Sequence, residues 1–341
     1  DLEAGSRPKI NNRELGVTVL EQELGLPVLL SPLGIQAVHP LGEVGAARGA
    51  ARAGTALGVS CFGSRDLADV VTEGAPTFFQ VHWVGGRAEM AHWVERAADR
   101  GAVGLIVTMD WSFSEGRDAG SPALPSAVGL RERVRYAPAA LAHPRWSARW
   151  QSGLPTLTLP NVPTGGVAPG FFAFYEQWRR TPLPTWADLA WLRSQWDGPV
   201  LLKGITRVDD ARRAVDAGFT AVAVSNHGGN NLDSTPATIR LLPAIAGAVG
   251  SQVEVLLDGG VRRGTDVVAA LALGARAVLI GRPYVWGLAV RGPTGVAEVL
   301  AALRREIAAS IATVGRASVR DVTRHDVLVP EGFEIARGGT G

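Results

Sequence analysis

From residue 28 onward the chain repeats one rhythm: a short unbroken apolar run, a polar or glycine-rich cluster, then an amphipathic stretch. Val28–Ser31 reads as a strand and Gly42–Gly54 as an alanine-rich helix. Thr55–Ser60 with Arg65–Glu73, and Thr77–Val81 with Arg87–Arg100, repeat the pair, and Val103–Asp110 is a fourth strand. Helix Trp186–Trp196 then leads into strands Pro199–Lys203, Ala221–Ser225, Val253–Asp258 and Ala277–Gly281. Runs of Val, Ile and Leu without alternation suit parallel strands covered on both faces. Eight of them, with helices between, predict an α/β fold: a single (β/α)8 TIM barrel with a long insertion after strand four. A doubly wound open sheet competes, but no GxGxxG follows the first strand.

Length alone would allow two domains, since 341 residues exceeds twice a typical one, yet barrels of this kind run to that size as one unit. The expectation is one domain over residues 1–341, with an N-terminal segment missing upstream of Asp1. At 46% hydrophobic and 19% charged, the chain is too apolar for disorder. Thirty-four Lys and Arg against 32 Asp and Glu leave a net charge of +2, and no dense basic tract supports nucleic-acid binding. There is no apolar run of transmembrane length and no signal-peptide pattern, so the protein reads as cytoplasmic. The single cysteine, Cys61, excludes an internal disulfide and a Cys-based zinc site; it reads as a small core residue, and no metal is expected.

Residues 111–185 break the rhythm. They hold ten of the 21 prolines and many aromatics, among them Trp146, Trp150, Phe171, Phe172, Phe174, Tyr175 and Trp178. A segment that long between two barrel elements is either a functional lid or partner-binding loop, or a partly ordered insertion with its own small cluster.

Barrel chemistry sits at the C-terminal ends of the strands, and here nearly every such end is polar or glycine-rich. The first closes with Ser31-Pro32-Leu33-Gly34, the second with Ser60, the third with Gln80-Val81-His82 and the fourth with Thr108-Met109-Asp110. The fifth ends at Lys203, the sixth at Ser225-Asn226-His227-Gly228-Gly229, the seventh at Asp258-Gly259-Gly260-Val261-Arg262 and the eighth at Gly281-Arg282. Glycines after strands seven and eight let backbone N–H groups approach a phosphate, and Arg262 and Arg282 can add charge. Lysine occurs only at Lys9 and Lys203; buried at a strand end, Lys203 would need an anion and could stabilise negative charge developing on a cofactor. His227, flanked by glycines, is a candidate base, with Asp110 able to orient it. His39, His92, His143 and His325 read as surface or packing residues.

These blocks resemble the FMN-dependent α-hydroxy-acid oxidase and dehydrogenase family. The matching stretches are Ser225-Asn226-His227-Gly228-Gly229 with Asp233, then Leu257 through Asp266, then Ile280-Gly281-Arg282-Pro283, and the likeness runs from about Arg13 to Phe333. The resemblance implies FMN as cofactor, contacted by Pro32, Gly34, Ser60, Gln80, Thr108, Lys203 and Ser225. Its phosphate would lie against Asp258, Gly259, Gly260, Val261, Arg262, Gly281 and Arg282. It implies catalytic roles for His227 as base, Asp110 as its partner, and Lys203 at the pyrimidine edge, stabilising the anionic reduced flavin. Arg117 resembles a substrate arginine. A homo-oligomer of four or more subunits is also implied.

Three positions depart from the family pattern. Asn230 stands where a second substrate arginine is expected, three residues after His227; His82 replaces a tyrosine; and Tyr136, Tyr175 and Tyr284 leave no counterpart for the family's N-terminal active-site tyrosine. Losing an arginine weakens bidentate clamping of a carboxylate. The variant His227-Gly-Gly-Asn-Asn-Leu-Asp233, with the stretch from Asp110 to Asp118, resembles the mycofactocin-system branch of the family. That branch oxidatively deaminates a cyclised Val–Tyr lactam amine to a ketone, and Asn230 suits a lactam better than a cation would. His82, Arg117, His227 and Asn230 are then the substrate residues. The alternatives are an FMN-dependent oxidase or dehydrogenase of L-2-hydroxy acids such as lactate, and a flavin-free phosphate-binding barrel serving as isomerase or sensor.

Overall fold

The computed structural model describes residues 13–34, 36–110, 129–145, 147–148, 158–163, 167–232 and 234–335. Eight parallel strands close into a barrel: Val28–Leu30, Leu57–Ser60, Thr77–His82, Gly104–Thr108, Val200–Ile205, Ala221–Val224, Glu254–Asp258 and Ala277–Ile280. Each pairs with the next, and the eighth closes on the first through Leu279 opposite Leu29. Every strand lies within two residues of its place in the sequence reading. The physical basis is plain in the burial: all residues of the first four, the sixth and the eighth strands are buried. One face fills the barrel and the other meets helices, so an apolar run needs no alternation. Each fully buried Val or Leu contributes about 1.5–3 kcal/mol.

Two features lay outside the sequence reading. An antiparallel hairpin, Val17–Val19 with Gln22–Leu24, precedes the barrel. Its turn residues Leu20 and Glu21 are both left-handed, at φ 49° and 65°, the geometry that matches the twist of a two-residue hairpin. The turn docks on the seventh strand, where the Leu20 amide donates to the Glu254 carboxylate at 3.0 and 3.2 Å. The second feature is close packing of helix Gly42–Ala53 on the C-terminal helix Arg282–Thr313. A Cβ on Gly49 would sit 2.5 Å from Val296 Cβ, and one on Gly45 would sit 2.9 Å from Leu288. The long helix is itself broken at Arg291 and Gly292, just before Pro293.

Within the insertion, residues 111–128, 146, 149–157 and 164–166 lie outside the described part. Helices Leu130–Ala142 and Phe171–Arg180 are described. The second buries Phe174 and Trp178, four residues apart and so on one face. Both rings meet Phe62, at centroid distances of 5.1 and 5.8 Å, and Phe174 also meets Trp93 at 5.8 Å. This helix therefore seats on the loop after the second strand. Leu130, Val134, Tyr136 and Leu141 of the other helix are exposed. Among the described residues no helix is long and apolar enough to cross a membrane.

Candidate active site

The strand-end polar residues converge on the C-terminal mouth of the barrel. Ser60, Gln80, Thr108, Lys203, Ser225 and Asp258 are all buried there. Gln80 donates its side-chain amide to Thr108 Oγ1 at 2.6 Å, joining the third strand to the fourth. Pro32 packs across the second strand so closely that a Cβ on Gly58 would sit 2.8 Å from its ring. Ser60 Oγ accepts from the Phe62 amide at 3.2 Å, shaping the loop that carries Phe62.

Lys203, the last lysine of the chain, is 2% exposed. Its ammonium lies 2.9 Å from Asp258 Oδ2 and donates to Ser225 Oγ at 3.0 Å. Burial by itself pushes this ammonium down, but the charges of Asp258 and Asp110 outweigh it and hold the group above its ordinary value. Lys203 therefore stays cationic. Gly204 follows at φ 106°, where the pairing of strands five and six shifts register. The conformation favours glycine, and a Cβ there would meet Asp110 Cβ at 2.5 Å.

Asp110 and His227 are in contact: His227 Nδ1 lies 3.1 Å from Asp110 Oδ1. Burial pushes the Asp110 carboxyl up, yet Lys203 and the hydrogen bond and charge of His227 together reverse this and set it at about 2. An ionised Asp110 accepts the Nδ1 proton, which places the lone pair of a neutral imidazole on Nε2. His227 itself is left-handed, at φ 56°, and Gly228 and Gly229 continue at 69° and 73°. A non-glycine residue there is strained by about 1–3 kcal/mol and persists only where its surroundings impose it. Here Ser225 Oγ accepts from the His227 amide at 3.1 Å, and Asn226 Oδ1 accepts from the Gly229 amide at 3.1 Å.

After the seventh strand, Gly259 and Gly260 take φ 97° and 82°, and a Cβ on Gly260 would meet nothing within 4 Å. The turn is therefore open at Gly260, while Gly259 packs against Asn226 Oδ1 and Thr238 Oγ1, each 3.4 Å from where its Cβ would lie. Arg262 and Arg282 are both exposed beside it. Arg282 donates to the Gly228 carbonyl at 2.9 Å, so the eighth strand end braces the histidine turn. Gly281 caps the helix that Arg282 begins. The Asp258 carboxylate, grouped with the phosphate residues by its place in the motif, instead lies on Lys203 and Ser225, where its negative charge is matched.

The substrate candidates divide. His82 is 2% exposed, with its ring 5.5 Å from both Phe62 and Trp178. Burial, reinforced by the charges of His227 and Lys203, lowers its pKa to about 3, so it is neutral. Asn230 is exposed and donates its amide to Asn231 Oδ1 at 3.1 Å. Gly34 is exposed at the end of the first strand. Arg117 and Asp233 lie outside the described residues.

Several residues at the mouth escaped the sequence reading. Asn231 donates to the Asp110 carbonyl at 2.7 Å. Glu43 is fully buried and accepts from the Gln36 amide at 3.2 Å and from the amide and hydroxyl of Ser64 at 2.9 and 2.7 Å. Gln36 donates to Tyr284 Oη at 3.1 Å, and Tyr284 donates to the Ser31 carbonyl at 3.0 Å. One buried network thus ties the loops after strands one and two to the helix after strand eight. A glutamate in an alanine- and glycine-rich helix was the one available signal. Cys61 is buried, and burial pushes its thiol up to about 12, as suits a core residue without reactive chemistry.

This geometry can be set beside known proteins. The model of the family described as FMN-dependent dehydrogenase matches residues 4–329. The chain belongs to this family. Among its relatives in the family is a pre-mycofactocin synthase of Mycolicibacterium smegmatis, 55% identical over 96% of this chain and 82% of that protein. An L-lactate oxidase of a Nostoc species is 39% identical over 92% of this chain and 82% of its own length. A solved structure of mandelate oxidase with an FMN adduct is 31% identical and superposes with a TM-score of 0.74, covering 95% of this chain and 86% of that one. As a member of the FMN-dependent dehydrogenase family, the chain is an FMN-dependent oxidoreductase on an eight-stranded barrel.

Proposed function

We propose that this oxidoreductase oxidises the amine-bearing carbon of a peptide-derived lactam, the cyclised Val–Tyr substrate, to an imine that water converts to a ketone with release of ammonia. The observation that carries this reading is Asn230. A neutral amide, joined to Asn231 and so to Asp110, follows the His227 base by three residues, where a carboxylate clamp would need a guanidinium. The 55% identity to a pre-mycofactocin synthase supports it.

The residues present fit FMN. The turn at Gly259 and Gly260, open at Gly260, would offer backbone N–H groups to a phosphate, with Gly281, Arg262 and Arg282 adding donors and positive charge. An ammonium carries three donors, and Ser225 and Asp258 take two of those on Lys203, leaving one for the flavin. Pro32, Gly34, Ser60, Gln80 and Thr108 would line the ring side. When bound, FMN supplies the acceptor for two electrons and the substrate hydrogen. His227 Nε2 takes the proton from the substrate amine, or from the carbon in a carbanion variant. Asp110, ionised beside it, stabilises the imidazolium that results. Lys203 holds positive charge where negative charge gathers. His82, neutral against Phe62 and Trp178, presents an uncharged aromatic wall to the substrate, and Arg117 of the insertion would be a further substrate residue.

The second reading, oxidation of an L-2-hydroxy acid such as lactate, has the Nostoc L-lactate oxidase on its side. An anaerobic titration of the FMN-loaded protein separates the two by loss of oxidised-flavin absorbance. Bleaching by the cyclised Val–Tyr amine and not by L-lactate or mandelate is the expected result. Bleaching by the hydroxy acids alone overturns the proposal.

A further inference from the structure

Four consecutive barrel strands, the fourth to the seventh, deliver Asp110, Lys203, Ser225 and Asp258 to one place. Neighbouring strands lie about 4.8 Å apart, so Asp110 and Asp258, three strands from each other, meet only through what stands between them. Lys203 and Ser225 stand there, and the Ser225 side chain, which touches both pairs, is fully buried. Its hydroxyl donates to Asp258 Oδ2 at 2.7 Å, accepts from Lys203 Nζ at 3.0 Å and accepts from the His227 amide at 3.1 Å. Asp110 Oδ2 is a longer alternative acceptor at 3.3 Å. A hydroxyl has one proton and two lone pairs, so the protein itself occupies all three.

We infer that Ser225 is a positioning residue that locks the Asp110–His227 pair and the Lys203–Asp258 pair into one unit. The inference rests on the proposed roles of His227 and Lys203. It gives Ser225 a task distinct from touching the flavin. By accepting from the His227 amide it sustains the left-handed backbone that turns the imidazole onto Asp110. By accepting from Lys203 while donating to Asp258 it fixes where the positive charge sits. One hydroxyl therefore sets the direction of the base and the position of the cation together, and removing it disturbs both. A flavin ligand alone would disturb only cofactor binding and the flavin's electronics.

The test replaces Ser225 by Ala in the FMN-loaded protein, with Ser225→Gly as a second variant that also removes the hydroxyl without adding volume. Two readouts report the two halves independently of turnover. The downfield proton resonance of His227 Nδ1–H bound to Asp110 reports the base, and the reduction potential of bound FMN reports the lysine. Both variants are expected to retain FMN. Each should also lose the resonance to exchange or move it upfield, and favour the oxidised flavin about ten-fold, which for a two-electron couple is about 30 mV more negative. Ser225→Thr, which keeps the hydroxyl, restores both signals if it folds. In the substrate that bleaches the wild type, flavin reduction slows about ten-fold at saturation while substrate affinity holds. Movement of one readout without the other, movement of neither, or release of FMN from Ser225→Ala and Ser225→Gly overturns the inference. Should no tested substrate reduce the wild type, the proposed reaction fails, and the resonance and the potential still decide the part Ser225 plays.

Discussion

The side-chain amide of Asn231 donates to the backbone carbonyl of Asp110 at 2.7 Å, tying the loop after the sixth strand to the end of the fourth. The bond is part-buried, so removing the Asn231 amide leaves the Asp110 carbonyl short of a partner at a cost of about 1 kcal/mol. Asn231→Ala is expected to keep FMN while slowing flavin reduction by about ten-fold, since Asp110 shifts against His227. Stopped-flow reduction under saturating substrate measures this. A rate equal to wild type would show that the link does not position Asp110.

Under the proposed reaction Asn230, its exposed neighbour, sets substrate class and not geometry. Asn230→Arg adds a guanidinium able to grip a carboxylate, and charge-assisted hydrogen bonds contribute about 1.5–3 kcal/mol. The ratio of kcat/KM for L-lactate over the lactam amine is expected to rise about 10- to 100-fold. Steady-state kinetics on both substrates with the same preparation checks it.

The Lys203–Asp258 pair is buried, and breaking one side of such a pair leaves an uncompensated charge worth about 3–5 kcal/mol. Lys203→Met should lower the urea midpoint sharply and lose FMN. Lys203→Met combined with Asp258→Asn removes both charges and should recover most of the stability without recovering flavin reduction. Chemical denaturation of the two variants, each with and without added FMN, gives the comparison.

His82 makes the fold sensitive to mild acid. Its imidazole, held near 3 when folded and 6.5 when unfolded, leaves the unfolded chain binding the extra proton between those values. Stability is therefore complete above about 6.5 and is lost as pH falls toward 3. Between pH 7.5 and 5.0 this group accounts for about 2 kcal/mol, from about 1.5 pKa units at 1.36 kcal/mol each. His82→Phe, which keeps an aromatic ring against Phe62 and Trp178, should lose about that much less on acidification. Urea unfolding of both proteins at the two pH values decides it.

Gly49 sets how closely the first barrel helix approaches the last. Gly49→Ala would place a methyl 2.5 Å from Val296 Cβ and 2.9 Å from the Pro293 carbonyl. Overpacking of this kind costs about 1–3 kcal/mol. The thermal midpoint should fall while the spectrum of bound FMN is unchanged, because the contact lies away from the mouth. Combining it with Val296→Ala should return part of the loss.

The barrel was legible because its signal is local. A run such as Leu105-Ile106-Val107 is buried on both faces, and no partner strand need be known to say so. The hairpin at Val17–Leu24 escaped because its turn, Leu20-Glu21, carries neither glycine nor asparagine; contact with Glu254 holds it in place of turn chemistry. Asp110 and His227 could each be named from a strand end. Their 3.1 Å contact could not, since it joins positions 117 residues apart.

What the amino-acid order determined by itself is the count of barrel strands, their sequence and the residues brought to one mouth, because apolar periodicity and strand-end chemistry act over a few residues. Only the closed barrel decided the partners. Lys203 needed an anion by elementary electrostatics, but that Asp258 supplies it, with Ser225 between them and Asp110, depends on strand order and register. The same closure gave the Asp258 carboxylate to the lysine and left Gly260, two residues on, open. Charges pair through space, at distances that chain separation does not encode.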